Sequence, residues 1–324
     1  MTAQRAPRAE ETLEVRVQRC EELATGVRRL TFERTDGVDF PAWEPGSHVD
    51  VIMPDHVRQY SICSSPGQRG QLQVSVLHVP ESRGGSAWVH EELREGEVLR
   101  ISAPRNNFVF QDSRRYLFIA GGIGITPIIP MIERAAELGK EWSLVYCGRS
   151  RSTMAFLSEL EDRHPERVTA YPSDETGRVN LEDHLALPRA KMLIYACGPT
   201  GLVEEIEDWA RGWPPGVLHT ERFSAAALDA GASMEPFEVE LVRSGRTVEV
   251  ATNQTVLEAL ESVGTRVLSS CRAGVCGTCE TEVLTGEVDH RDVVLSPTEQ
   301  QANQSMMVCV SRAANGCRRL RLNL

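Results

Sequence analysis

The spacing of hydrophobic positions changes along the chain, and the first part has the pattern of β-strands. Over the first hundred or so residues apolar and polar positions alternate, most clearly at Leu72, Val74 and Val76, and a turn-forming pair stands at Gly84-Gly85. A period of two is typical of strands that bury one face. The pattern predicts a small antiparallel β-barrel over residues 1–112.

From Tyr116 onward, short apolar runs alternate with helical stretches. In chain order these segments are 116–120, 127–138, 142–146, 192–196 and 199–210. Such a rhythm predicts an α/β domain with a parallel sheet, which we place at residues 113–223. For the first helix, the sequence predicts Thr126 as the N-cap, Pro127 as the first residue and Gly139 as the stop.

Residues 224–235 are rich in Ala, Gly and Ser without periodicity, which predicts a linker. The remaining segment, 236–324, forms a third domain. Two alternating runs, 237–242 and 246–251, flank Ser244-Gly245 and predict a β-hairpin.

The third domain continues with signals for one helix and a last strand. Thr255 and Glu258 have the spacing of a capping box, and the helix should end before Gly264. The alternation of Leu320, Leu322 and Leu324 predicts a terminal strand. The segment therefore has the content of a small α+β domain, and no internal repeat is visible.

Composition narrows the functional class. The 324 residues are 41% hydrophobic and 25% charged, a balance typical of globular proteins. A net charge of −11 disfavours nucleic acid as a partner. No apolar run reaches the ~18 residues of a membrane span, and no secretory segment follows Met1, so we expect a cytoplasmic protein.

Nine cysteines cannot all pair within one chain, and we expect them to be free or metal-bound in a reducing compartment. Four have the spacing of plant-type ferredoxins, C-x4-C-x2-C with a distant fourth, in which thiolates hold two irons: Cys271, Cys276, Cys279 and Cys309. Gly274 and Gly277 inside the loop allow backbone amides to approach the cluster sulfurs. Cys20, Cys63 and Cys317 lie outside the spacing and are predicted to be structural.

Two other interpretations of these four cysteines are a structural zinc site and free thiols in a core. Zinc sites usually pair their ligands in short knuckles, whereas here three cysteines lie within nine residues and the fourth stands alone. The spacing favours an iron-sulfur cluster.

Two short motifs in the barrel segment suit a phosphorylated aromatic cofactor. In Arg58-Gln59-Tyr60-Ser61, Arg58 and Tyr60 would share one strand face, where a guanidinium binds phosphate and a phenol ring stacks on an aromatic system. The segment Ser82-Arg83-Gly84-Gly85-Ser86 offers amides and hydroxyls to an anion. Taken singly, the first is compatible with surface residues and the second with an ordinary turn.

The parallel-sheet segment contains two glycine motifs, each after an apolar strand. Gly121-Gly122-Ile123-Gly124-Ile125-Thr126-Pro127 opens a helix, where glycines let a cofactor approach the positive helix end. It departs from the Rossmann fingerprint, because Pro127 replaces the third glycine. The second motif is Cys197-Gly198-Pro199. A plain strand-to-helix turn and a buried strand end are the competing interpretations.

The residue type that usually selects NADH, an acidic side chain at the end of the second strand, is missing. Gly148, Arg149 and Ser150 stand there instead. Arg149 or Arg151 is able to accept a 2′-phosphate, but either is equally able to bind a pyrophosphate or to face solvent.

With these motifs the chain resembles, over nearly its whole length, the phthalate dioxygenase reductase and vanillate demethylase reductase family. The resemblance implies an antiparallel β-barrel flavin domain, an α/β nicotinamide domain and an α+β β-grasp ferredoxin domain. It implies FMN, NADH and a 2Fe-2S cluster as cofactors, with Cys271 and Cys276 on one iron and Cys279 and Cys309 on the other. Electrons would pass from NADH to FMN, the cluster and a Rieske-type terminal oxygenase.

The resemblance also implies roles for single residues. Arg58, Tyr60, Ser61 and the motif around Gly84 would bind the flavin, and His78 and Val79 would line it. The motifs at Gly121, Gly122, Gly124 and Thr126, at Arg149 and Ser150, and at Cys197, Gly198 and Pro199 would bind the nicotinamide nucleotide. Cys197 and Thr126 would stand at the reacting ring, and Glu221 and Phe223 near the flavin.

We expect a monomer. Two alternatives stay open at this point: a reductase of the same construction for a cytochrome P450 or another haem acceptor, and a zinc-stabilised binding module.

Overall fold

Residues 12–54, 57–80, 84–186, 191–223 and 235–324 are described by the computed structural model of this chain. The chain divides into two units, Met1–Phe223 and Ser224–Leu324. The predicted linker lies outside the described residues except for Glu235. Within the described ranges, no helix is both long and apolar enough to cross a membrane.

The first unit begins with an antiparallel barrel. Its elements are β1 Thr12–Ala24, β2 Val27–Arg34, β3 Ser47–Ile52, β4 Val57–Ser61, β5 Leu72–Leu77, α1 Gly85–Glu91, β6 Val98–Ser102 and β7 Arg105–Asn106. The sheet order is β4-β3-β6-β1-β2-β5, and a bridge from Ile62 to Val74 joins its two outer strands. Val15, Leu30 and Val49 are fully buried inside, so the period of two reflects one buried face. The predicted barrel is confirmed.

A parallel sheet with helices completes the first unit. Its elements are β8 Arg115–Gly121, a 3-10 turn Gly122–Ile125, α2 Ile128–Glu137, β9 Glu141–Gly148, a 3-10 turn Arg151–Thr153, α3 Leu157–Arg163, β10 Val168–Pro172, α4 Ser173–Thr176, α5 Glu182–Leu185, β11 Met192–Cys197, α6 Thr200–Ala210 and β12 Leu218–Glu221. The order is β10-β9-β8-β11-β12, and all neighbours are parallel. The chain changes direction across the sheet between β8 and β11, and ligands bind at the carboxyl ends of strands at such a point.

The predicted N-cap of the first of these helices is wrong. The 3-10 turn places Pro127 at the cap of α2, and the Thr126 hydroxyl donates to the Ile123 carbonyl at 3.0 Å instead of capping the helix. Pro127 is therefore not the first residue of the helix as predicted, because the 3-10 turn moves the start of α2 to Ile128. The predicted stop is confirmed: Gly139 has a φ of 63°, and its N–H donates to the Ala136 carbonyl.

The second unit is a mixed sheet. Its elements are β13 Phe237–Leu241, β14 Arg246–Val250, α7 Val256–Ser262, β15 Glu280–Thr285, β16 Val288–Asp289, α8 Pro297–Ala302, β17 Ser305–Met307, β18 Arg312–Ala313 and β19 Arg319–Leu322. The order is β14-β13-β19-β15-β17, with β13 and β19 parallel, which is the β-grasp arrangement. The predicted hairpin, terminal strand and capping box are confirmed, and the Glu258 N–H donates to Thr255 Oγ1 at 3.1 Å.

Candidate functional site

The two barrel motifs meet in space. Arg58 and Tyr60 lie opposite Val51 and Val49 on β3, so they share one face of β4 as predicted. A Cβ added to Gly85 would lie 2.7 Å from Arg58 Cγ. The Arg58 side chain therefore crosses the start of α1, and it does so because Gly85 has no side chain.

The end of β5 is tied to the same helix. Ser86 Oγ accepts from the Val79 N–H at 3.1 Å and lies 3.3 Å from the Val79 carbonyl oxygen. Val79 itself is 45% exposed. Of the other predicted residues, Gly84 has a φ of 89°, whereas Ser82 and Arg83 lie outside the described residues.

Tyr60 and Ser61 supply the aromatic and hydroxyl groups of this region. Tyr60 packs against the barrel core, and burial raises its pKa to about 12, so the phenol is uncharged at any physiological pH. Ser61 is buried at the end of β4. A cationic fork, an uncharged aromatic ring and a helix start in one place suit the phosphate and ring of a flavin mononucleotide.

The two glycine motifs of the parallel sheet pack directly on each other. A Cβ on Gly124 would lie 2.3 Å from the Cys197 carbonyl oxygen, and one on Gly121 would lie 2.6 Å from Pro199 Cδ. Glycine is needed at these positions for contact between the loops. Only Gly122, with a φ of 53° and no atom within 4 Å of its Cβ position, faces open space among the three predicted glycines of that turn. The sequence analysis assigned all three to cofactor approach.

Cys197 and Glu221 end two neighbouring strands. They pair in register between β11 and β12, and Cys197 also pairs with Ala120 of β8. Burial, and secondly the Glu221 carboxylate, raise the pKa of the Cys197 thiol well above its usual value. Burial raises the pKa of Glu221 to about 8, and its Oε2 has no partner among the described residues. The unpaired carboxyl oxygen of Glu221 and the thiol of Cys197 therefore lie together at the strand ends where the sheet order reverses. This arrangement suits the binding of a polar aromatic ring.

An ion-pair clamp holds the chain just beyond Glu221. Arg222 is paired with Glu207 at 2.6 Å and with Glu204 at 3.5 Å, both on α6. The Thr220 hydroxyl donates to the other oxygen of Glu207 at 3.1 Å. These contacts anchor Thr220 and Arg222, which flank Glu221, and the next residue, Phe223, is 43% exposed.

The structure separates the two arginines left open for the nucleotide. Arg151 is paired with Glu161 at 3.0 Å and with Glu175 at 3.5 Å, whereas Arg149 is exposed. The Asp174 N–H donates to the Arg149 carbonyl at 3.0 Å, which places this exposed aspartate beside Arg149 in α4, just after the end of the neighbouring strand β10. Sequence reasoning missed Asp174, because the search for an acidic group stopped at the second strand.

The four cysteines converge in the second unit. All four are at least 92% buried, with exposures of 8%, 4%, 2% and 3% for Cys271, Cys276, Cys279 and Cys309. Cys309 lies within hydrogen-bonding reach of Cys271 and Cys279, and Cys276 lies within reach of Cys271. The Cys271 contact and then burial raise the pKa of the Cys276 thiol. Crowded buried thiols lose their protons only beside a cation, so this arrangement suits an iron cluster.

Backbone amides approach the sulfurs, as the glycine pattern predicts. The Ala273 N–H donates to Cys271 Sγ at 3.3 Å, and the Gly274 backbone is hydrogen-bonded to Cys309. Gly274 has a φ of 69°, and a Cβ there would lie 2.7 Å from Val310 Cγ2. Its carbonyl accepts from the Val293 N–H at 3.0 Å, so the segment before α8 supports the cysteine loop.

Comparison with known proteins agrees with this geometry. Two family models match the chain: a 2Fe-2S iron-sulfur cluster binding domain over residues 239–314 and an oxidoreductase NAD-binding domain over residues 118–208. With the barrel, they define a flavin- and iron-sulfur-dependent NAD(P)H oxidoreductase.

Individual proteins identify the family. The vanillate O-demethylase oxidoreductase of Pseudomonas sp. is 38% identical over 94% of this chain and 98% of its own. The solved phthalate dioxygenase reductase, described as modular for electron transfer from pyridine nucleotides to a 2Fe-2S cluster, is 32% identical with a TM-score of 0.73, over 97% of this chain and 98% of its own. The chain belongs to the phthalate dioxygenase reductase family, which confirms the predicted fold and the FMN, NADH and 2Fe-2S cofactors.

A third match is a larger protein. An intact type IV self-sufficient cytochrome P450 monooxygenase is 41% identical with a TM-score of 0.86 over 99% of this chain. The chain spans 43% of that protein's length.

Proposed function

We propose that this reductase delivers electrons from NADH, through FMN and its 2Fe-2S cluster, to a Rieske-type terminal oxygenase that hydroxylates or demethylates an aromatic substrate. The observation that carries the proposal is the arrangement of four buried cysteines in a β-grasp unit that follows a flavin barrel and a nicotinamide sheet in one chain. Its full-length relatives are named for an aromatic dioxygenase and a demethylase system.

Energetics favour that acceptor. When bound, the flavin converts a two-electron hydride donor into a source of single electrons, and the cluster carries them one at a time. A plant-type cluster has a potential near about −400 mV, and a Rieske centre lies between about −150 and +300 mV. Transfer from the first to the second is downhill. We further propose that the protein works as a monomer in the cytoplasm.

We assign the side chains as follows. Arg58 binds the flavin phosphate, Tyr60 packs on the flavin ring, and Cys197 and Thr126 border the nicotinamide. The predicted residues His78, Val79, Arg83, Ser86, Ser150, Gly198 and Pro199 keep their proposed cofactor contacts. Cys271, Cys276, Cys279 and Cys309 hold the cluster.

Asp174 supports NADH over NADPH as the electron donor. Its backbone N–H donates to the Arg149 carbonyl, and we propose that its exposed carboxylate accepts from a ribose 2′-hydroxyl and repels a 2′-phosphate. Arg151 is engaged by two glutamates.

The proposal is tested in two stages. Anaerobic titration with NADH should bleach the flavin absorbance and then reduce the cluster, giving its EPR signal. Reduced protein is then mixed with purified Rieske oxygenases for aromatic substrates, and NADH-dependent product formation is measured. Cluster reduction without transfer to any Rieske component would contradict the assignment of the acceptor.

A haem acceptor is the second candidate. It is favoured by the 41% identity to part of a self-sufficient cytochrome P450 monooxygenase. The same reduced protein, mixed with a ferric P450 under carbon monoxide, should develop the ferrous-carbonyl band if this candidate is right. The relative rates of the two transfers decide between them.

A further inference from the structure

A histidine ties helix α1 to the barrel near the C-terminal end of the helix. His90 Nε2 lies 2.9 Å from the Val76 carbonyl oxygen on β5. A carbonyl oxygen only accepts, so Nε2 carries the proton and donates it. Burial lowers the pKa of His90, so the ring is uncharged above neutral pH and has a single N–H. His90 therefore uses its one donor for the contact between α1 and β5.

An arginine holds the same end of α1. Arg28 lies directly opposite Val76 in the pairing of β2 with β5. Its Nη1 donates to the Val89 carbonyl at 2.8 Å and to the Leu93 carbonyl at 3.4 Å. The helix is thus fixed against two neighbouring strands by separate side chains. Removing the His90 contact should shift α1 without detaching it.

The ring of His90 also contacts a residue that we assign to the flavin. The ring centroids of His78 and His90 are 5.0 Å apart, and His78 Nε2 lies 3.6 Å from Glu91 Oε1 on the same helix. The next residue of the strand end, Val79, donates its N–H to Ser86 Oγ at 3.1 Å. Both ends of α1 therefore contact the segment 78–79, and the position of the helix is linked to that of the segment.

The first turn of α1 supports the arginine of the flavin motif. A Cβ added to Gly85 would lie 2.7 Å from Arg58 Cγ and 3.0 Å from Arg58 Nε. The side chain that we assign to the flavin phosphate therefore packs directly on Gly85. Because α1 has only 7 residues, Gly85–Glu91, and its backbone hydrogen bonds hold them together, a shift at the His90 end also displaces Gly85.

We propose that His90 is a positioning residue for the flavin phosphate. By donating to the Val76 carbonyl it fixes α1, and with α1 the Arg58 side chain that packs on Gly85. Its role is indirect, through the helix and the arginine. The inference rests on the proposed function, because it requires that Arg58 bind the phosphate of a flavin.

The test compares two flavins that differ only in the phosphate. Flavin is removed from the purified full chain, and the dissociation constants of FMN and riboflavin are measured by fluorescence. The riboflavin constant divided by the FMN constant reports what the phosphate contributes, whereas a general loosening of the barrel weakens both flavins and leaves this ratio unchanged. His90→Leu should lower the ratio about fivefold, which is the effect of losing one hydrogen bond.

Two further variants control for the substitution itself. His90→Gln retains an N–H donor for the Val76 carbonyl and should keep the ratio within about twofold of wild type. His184 on α5 is likewise hydrogen-bonded to another element, through the Tyr171 hydroxyl at 2.9 Å, and His184→Leu should leave the ratio unchanged. A wild-type ratio in folded His90→Leu, or an equal fall in His184→Leu, would overturn the inference.

A second measurement uses the wild type and does not depend on folding of the leucine variant. By linkage, a contact that strengthens phosphate binding is itself strengthened when the phosphate binds. The His90 ring N–H, assigned by nitrogen-15 labelling as the signal missing in His90→Gln, should exchange with solvent more slowly in the FMN complex than in the riboflavin complex. Equal exchange rates would overturn the inference.

Failure of the proposed function gives a different result. A wild type that binds no flavin, or that binds FMN and riboflavin equally, would contradict the assignment of Arg58 to the flavin phosphate. That outcome is visible before any variant is made, so the two failures are distinct.

Discussion

The cysteine loop and the nicotinamide site are built in opposite ways. Three of the four cysteines lie between Cys271 and Cys279, and one loop with its backbone amides holds them. The nicotinamide site joins Gly124 to Cys197, two residues more than seventy positions apart that touch because β8 and β11 are adjacent. A site formed within one loop can be predicted from the spacing of its residues. A site formed between strand ends depends on how closely two distant loops pack.

The largest expected effect removes the distant ligand of the local site. Cys309→Ser should reduce the EPR signal of the reduced cluster to less than a tenth, because three thiolates do not complete the ligand set. Flavin reduction by NADH should persist. Cys317→Ser, outside the spacing and half-buried, is the matched control. A normal cluster signal in Cys309→Ser would remove this residue from the ligand set.

The second-largest effect is expected from disturbing the contact between the two glycine loops. In Gly124→Ala the new Cβ would meet the Cys197 carbonyl at 2.3 Å, and overpacking of this kind costs about 1–3 kcal/mol. We expect a lower melting temperature and slower stopped-flow reduction of the flavin by NADH, by about tenfold.

Gly201→Ala is the control for that change, since no atom lies within 4 Å of its Cβ position in α6. Alanine in a helix should leave stability unchanged or raise it by about 0.5–1 kcal/mol. If Gly124→Ala and Gly201→Ala have the same melting temperature and the same rate of flavin reduction, the close contact of the two loops is not the reason that Gly124 is needed.

Glu221 predicts a pH dependence of stability. Its pKa rises on folding from 4.5 to about 8, so the folded state binds the proton more tightly. The stabilising contribution is full below about pH 4.5 and is lost as the pH rises to about 8, a loss of order 1 kcal/mol or more. Melting temperatures from pH 5 to 8.5 should fall less steeply in Glu221→Gln. If melting temperature changes with pH equally in wild type and Glu221→Gln, a group other than Glu221 causes the pH dependence.

The smallest effect concerns the choice of nucleotide. Asp174→Ala should raise the KM for NADH by about fivefold and leave the KM for NADPH unchanged or lower, because a hydrogen bond from an exposed side chain contributes about 1 kcal/mol. Glu175→Gln, one residue away and paired with Arg151, is the control. An equal rise for both nucleotides would assign Asp174 to general packing.

The sequence by itself determined the three-part order, the cysteine spacing and the elements with strong local signals, such as the capping box of Thr255 and Glu258. These features depend on periodicity and on residues a few positions apart, where backbone geometry fixes the outcome.

Tertiary structure alone decided which residues meet. The predicted cap at Thr126 failed because a 3-10 turn precedes α2, and the roles of Gly121 and Gly124 changed because the loop from β11 packs against them. Asp174 gave no sequence signal, since its neighbour Arg149 follows a strand that the chain leaves more than twenty residues earlier. Contacts between distant segments are set by sheet order and register, which the local pattern does not contain.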